Sequence, residues 1–122
     1  MKALKSYREF EVWKKSIDWV AQIYLASKSF PPEERFGLIS QLRRASVSVP
    51  SNIAEGAART GTGEFLQSLS VASGSLAEAE TQLIIANRLE ILPPERLEAL
   101  LLQSEEISKM LGGLKRSLES RR

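Results

Sequence analysis

The stretch PERLEALLLQSEEISKMLGGLKRSLES, residues 94–120, decides the fold. Leu97, Leu100, Ser104, Ile107, Leu111, Leu114 and Leu118 recur at alternating spacings of three and four. That is the a/d seam of an amphipathic helix, interrupted at Ser104. Pro93-Pro94 followed by Glu95 is a helix-opening signal, since proline suits the first turn and glutamate favours it.

The same punctuation divides the rest of the chain. Pro31-Pro32 opens a second helix, and Gly61-Thr62-Gly63 separates two periodic segments. The four segments predicted are about 8–29, 32–58, 62–90 and 94–120. Helix one places Phe10, Trp13, Ile17, Val20, Ala21 and Tyr24 on one apolar face. Helix two does so with Leu38, Leu42, Ala45, Val49, Ile53 and Gly56, and helix three with Phe65, Leu69, Ala72, Leu76, Ala79, Leu83 and Ala86. No segment alternates with period two, so the class is all-α. Long helices on short connections make antiparallel neighbours, hence one domain over residues 1–122, an up-down-up-down four-helix bundle. Pro50 lies inside helix two and is expected to bend it around the core.

Helix one carries a second apolar stripe, Val12, Trp19, Ile23 and Ala26, opposite the first. Helix three has a weaker one of small residues, Leu66, Ser73, Ala77 and Ile84. Covering these stripes within one bundle is the plainer reading. An exposed Trp–Ile patch instead predicts a homo-oligomer, with Val12, Trp19, Ile23, Leu66, Ser73 and Ala77 at the interface.

Composition closes off most chemistry. The chain has 122 residues, no cysteine and no histidine, and Asp18 is its only aspartate. The commonest metal ligands, general bases and thiol nucleophiles are therefore missing, and no cofactor is expected. Glu78 and Glu80 diverge on helix three and make no helical metal pair. Gly61-Thr62-Gly63 follows no strand and carries no GK[ST], so it reads as a turn. The expectation is a non-enzyme. No apolar run approaches the roughly 20 residues of a membrane span. The basic N-terminus lacks the apolar stretch of a secretory signal, and a cytoplasmic location is the default.

On helix two, Gln41, Arg44, Ser48, Asn52, Glu55 and Arg59 form a polar stripe beside the apolar face. The simplest reading is a solvated face, or polar groups satisfying one another between helices. The sharper reading is a recognition surface in which Arg44 and Arg59 meet phosphates. Net charge is only +2, but the topology polarises it. One bundle end gathers Lys2, Lys5, Arg8, Arg59, Lys115, Arg116, Arg121 and Arg122 against Glu9, Glu11, Glu55, Glu64 and Glu119, a balance of +3. The other end, with four cations and five carboxylates, stands at −1. Cations closing helix four also complement its dipole, which is the ordinary explanation.

Four segments carry a family resemblance: Phe10–Ser16, Gln41–Ala45, Ser48–Gly56 (SVPSNIAEG) and Ala72–Leu83. They resemble the bacterial four helix bundle proteins, also called 23S rRNA-intervening-sequence or S23 proteins, over about Tyr7 to Leu118. The matched signature positions are Arg43, Arg44, Ser48, Pro50, Asn52, Glu55 and Gly56. The resemblance implies a four-helix bundle and a ring-like homo-oligomer, commonly a pentamer, with no established catalytic role for the signature. The accessory variability protein of diversity-generating retroelements is similar to this family. It pairs with a reverse transcriptase and has a basic surface for nucleic acid.

Two functional readings follow. In the first, a non-enzymatic oligomer associates with RNA or other nucleic acid through a basic end built from Arg44, Arg59, Lys115, Arg116, Arg121 and Arg122. In the second, it is a scaffold that docks a partner protein through the polar stripe of helix two. A small-molecule site between helices is a third and weaker reading.

Overall fold

The computed structural model describes residues 6–121. It contains four α-helices: α1 (Glu11–Ser27), α2 (Leu38–Ala58), α3 (Thr62–Arg88) and α4 (Pro94–Glu119). No strand occurs among the described residues. Tyr7–Glu9 and Pro32–Glu34 are short 3₁₀ turns.

Contacts across the helix pairs fix their directions. Ser48 meets Ser75 and Gly56 abuts Ser68 between α2 and α3. Glu80 meets Ser104 and Ser73 meets Lys115 between α3 and α4. Lys15 meets Glu106 and Trp19 meets Leu100 between α1 and α4. In every pair, residue numbers rise on one helix as they fall on the other, so these neighbours are antiparallel. Each helix packs on its chain neighbours, and α1 packs on α4 to close the square.

The core follows the expected stripes on three helices. Leu42, Val49 and Ile53 of α2, Leu69, Leu76 and Leu83 of α3, and Leu100, Ile107 and Leu111 of α4 are buried. Ser104 is buried in the α4 seam without penalty. Its hydroxyl donates to Glu80 Oε2 at 2.6 Å and lies 3.0 Å from the Leu101 carbonyl. α2 runs on through Pro50, which is itself buried.

Helix one overturns the expectation. Val12, Trp19 and Ile23, assigned to the oligomer interface, are core residues, with Trp19 and Ile23 at 0% exposure. The face expected inside looks outward: Ile17 is 41% and Tyr24 38% exposed, and Trp13 and Val20 are half-buried. Small serines decide the matter. Ser16 and Ser27 lie on the buried side, and their hydroxyls donate to carbonyls of their own helix, Trp13 O at 2.8 Å and Tyr24 O at 3.2 Å. They enter the core already satisfied, so α1 can press closely on its neighbours. The Trp19 indole N–H donates to Leu100 O at 3.2 Å, which ties α1 to α4. On the surface of the same seam, Glu106 hydrogen-bonds Lys15 and holds its ammonium above the usual lysine pKa.

Helix ends also differ from the expected bounds. α2 begins at Leu38 rather than at residue 32, because Pro31-Pro32 opens only a 3₁₀ turn and the Gly37 backbone (φ −110°, ψ −108°) is not helical. The Glu34 carboxylate accepts the Leu38 N–H at 3.1 Å, supplying the cap that Gly37 has no side chain to provide. α3 stops where Glu90 takes a left-handed φ of 62°. The Ile91 and Leu92 N–H groups then turn back onto Ala86 O at 2.9 and 3.2 Å.

Candidate functional site

The signature stripe of α2 faces α3 along much of its length. A Cβ built on Gly56 would lie 2.6 Å from Ser68 Cβ and 2.9 Å from Phe65 Cδ1. Only glycine permits the two helices to approach this closely at that point. Further along, Ser48 and Ser75 share a hydrogen bond of 2.8 Å. Asn52 Nδ2 donates to the Ser48 carbonyl at 2.8 Å and to its hydroxyl at 3.0 Å. At the end of α2, Arg59 pairs with Glu64 at 3.6 Å and with Glu55 at 4.0 Å. Ser48, Asn52, Glu55 and Arg59 are thus brought together with α3 residues, while Gln41 and Arg44 stay exposed. The open groove so formed, about 430 Å³, is lined by Asn52, Glu55, Arg59, Glu64, Gln67 and Val71, among others.

Two signature residues face α1 instead. Pro50 lines the α1–α2 side. Arg43 donates from Nε to Ser27 Oγ at 2.9 Å, and its guanidinium stacks 4.4 Å from the centre of the Tyr24 ring. A second contact reaches Tyr24 O at 3.4 Å. A cation at the last carbonyls of α1 complements that helix's dipole and fixes its end to α2.

The basic end is partly assembled. Arg59 and Lys115 flank the first turns of α3, where Gly63, Leu66, Gln67, Ser70, Lys115 and Glu119 line a groove of about 280 Å³. Both cations are engaged: Arg59 by its two glutamates, and Lys115 Nζ by a 2.8 Å donation to Ser73 Oγ. Arg116 is exposed and folds back over Gly112, whose Cβ would lie 3.3 Å from Nη1. Arg121 is exposed, and Arg122, like Lys2 and Lys5, lies outside the described residues. Within the described residues this end therefore sets five cations against five carboxylates and is neutral, so the +3 resides in Lys2, Lys5 and Arg122. Of the three interface candidates on α3, Leu66 is half-buried against the core, Ser73 holds Lys115, and Ala77 is exposed.

Reading the sequence missed a third surface. The outward side of α1 meets α2 in an apolar groove of about 290 Å³, lined by Tyr7, Trp13, Ile17, Val20, Val47, Pro50, Ser51 and Ala54. Tyr7 and Trp13 meet edge to face there at 5.3 Å between ring centres. Its signal in the sequence is the Trp13, Ile17 and Val20 stripe of α1, which periodicity alone places in the core.

Architecture and surfaces together define a small all-α protein of the four-helix-bundle class. The family model for the 23S rRNA-intervening sequence protein matches residues 8–113, and the chain belongs to that family. A crystal structure at 1.70 Å of a protein of unknown function from the S23 ribosomal protein family of Bacteroides thetaiotaomicron has the same fold. It is 25% identical, with a TM-score of 0.79 over 86% of this chain and 95% of that one. No curated protein matches the sequence. No helix among the described residues is long and apolar enough to cross a membrane.

Proposed function

We propose that the chain is a non-enzymatic, cytoplasmic assembly subunit that associates with copies of itself and acts as a scaffold for a partner. The observation that carries this reading is the outward α1–α2 face, where Ile17, Tyr24 and Val47 are over one-third exposed around an apolar groove. Exposed apolar side chains beside an apolar groove suit an interaction site. The resemblance to ring-forming family members points the same way and suggests five subunits. Against catalysis, the Ser48 hydroxyl bonds to Ser75 and Asn52 among the described residues, neither of which is a base.

Nucleic-acid association is the second reading. It is favoured by the exposed guanidinium groups of Arg44, Arg116 and Arg121, and weakened by the engagement of Arg59 and Lys115. Light scattering on a sizing column, with and without a structured RNA, separates the two. Oligomers that ignore RNA at low salt support the scaffold, whereas co-elution lost at high salt supports nucleic-acid binding. A monomer at micromolar concentration refutes self-assembly.

A further inference from the structure

Phe36 is 89% exposed, far more than any other large apolar side chain among the described residues. It stands in the turn between the Pro32–Glu34 3₁₀ turn and α2, and nothing in its own bundle covers it. The Arg35 guanidinium lies 5.7 Å from the centre of its ring, so the turn presents an aromatic ring with a cation on its face. Gly37 next to it lets the chain leave the turn before α2 starts.

The α1–α2 groove has the complementary character. Its 290 Å³ can take a phenyl ring, and its walls are Trp13, Ile17, Val20, Val47 and Pro50. Tyr7 and Trp13 offer ring edges that favour an incoming aromatic group, while the chain's own Arg8 guanidinium already lies 5.8 Å from the centre of the Tyr7 ring. Phe36 and the groove cannot meet within one chain, because Phe36 lies beyond the end of α1 at which Lys28 leaves the helix. The groove sits toward the opposite half, around Trp13 and Ala54.

We infer that Phe36 of one copy inserts into the α1–α2 groove of a second copy. This deepens the self-assembly reading above and depends on it. Knob and socket are different residues, so one subunit can give and receive at once, as a closed ring requires. One ring covers about 150–250 Å², well short of a full interface of roughly 1,200 Å² or more. Phe36 is thus the anchor of a larger contact that also covers the exposed edges of Ile17, Tyr24 and Val47.

The test combines Phe36→Ala, Val47→Glu in the socket, and a photo-crosslinking phenylalanine analogue at position 36. Both substitutions are at exposed side chains, and unchanged circular dichroism and melting of the dissociated chain confirms that each variant folds. The expected result is assembly weakened about 10- to 100-fold by Phe36→Ala. Val47→Glu weakens it too, and the crosslink from position 36 maps to peptides holding Trp13 or Val47 of a second chain. An oligomer of wild-type affinity in both variants, or crosslinks confined to other surfaces, overturns the inference while leaving self-assembly standing. A wild-type protein that is monomeric throughout overturns self-assembly itself.

Discussion

Gly56 and Gly74 are both glycines inside long helices, and the structure predicts opposite outcomes for replacing each by alanine. In a helix interior, alanine is favoured over glycine by about 1 kcal/mol. At Gly74 nothing lies within 4 Å of a built Cβ, so Gly74→Ala should realise that gain. At Gly56 the new methyl would sit 2.6 Å from Ser68 Cβ and 2.9 Å from Phe65 Cδ1. Neither neighbour is the free end of a flexible chain, so α2 and α3 must separate, and overpacking of this kind costs about 1–3 kcal/mol. It would also stretch the 2.8 Å Ser48–Ser75 hydrogen bond two turns away. The net expectation is a loss of up to about 2 kcal/mol at Gly56 and a gain of about 1 kcal/mol at Gly74. For a chain of 122 residues each kcal/mol moves the melting temperature by about 4 °C, so the variants should differ by about 4–12 °C. Thermal unfolding followed by circular dichroism at one fixed protein concentration measures this, since assembly would make melting concentration-dependent. A Gly56→Ala protein as stable as Gly74→Ala would refute the close approach of α2 and α3.

Trp19→Phe should cost about 1–2 kcal/mol by removing the donation to Leu100 O and leaving a small void, and a melting curve at fixed concentration reads it. If Trp19 were an interface residue, the same change would alter assembly and spare the melting of the monomer. Glu90→Gly should stabilise the chain by about 0.5–1 kcal/mol, because glycine adopts φ 62° without the Cβ penalty; chemical denaturation is the measure, and a decrease in stability would count against the left-handed turn.

Three of the four core faces were legible because apolar residues there alternate with polar, small or charged ones, and α4 is the plainest case. Helix one was not, because both its sides are apolar. Residue volume favoured the side with Trp13, Ile17 and Tyr24 about as well as the one with Trp19 and Ile23. The discriminating residues were the small ones: counting Ser16 as core makes Val12, Ser16, Trp19, Ile23 and Ala26 an unbroken run of four-three spacings. On the other side, Lys14 adjoins Ile17 and keeps that face near water. Helix two's late start was hidden for a related reason. A proline pair followed by two glutamates suits a 3₁₀ turn as well as an α-helix, and only the backbone at Gly37 distinguishes them.

The candidate site was legible as a stripe but not as a function, and the structure separates its parts. Gly56 sets the distance between α2 and α3, Ser48 and Asn52 bond across and along it, and Arg43 holds the end of α1. Such roles suffice to explain why those residue types stand at those positions, without any ligand. Recognition then falls to what the signature leaves on the surface: Arg44 outside, the Glu55–Arg59–Glu64 cluster at one end, and the apolar α1–α2 groove behind Pro50. Of these, the groove gains most from excluding water, since the charged groups at the other two keep their hydration or one another. In the proposed assembly, the signature would supply the rigidity of the α2–α3 pair and the apolar groove on its α1 side would supply the affinity.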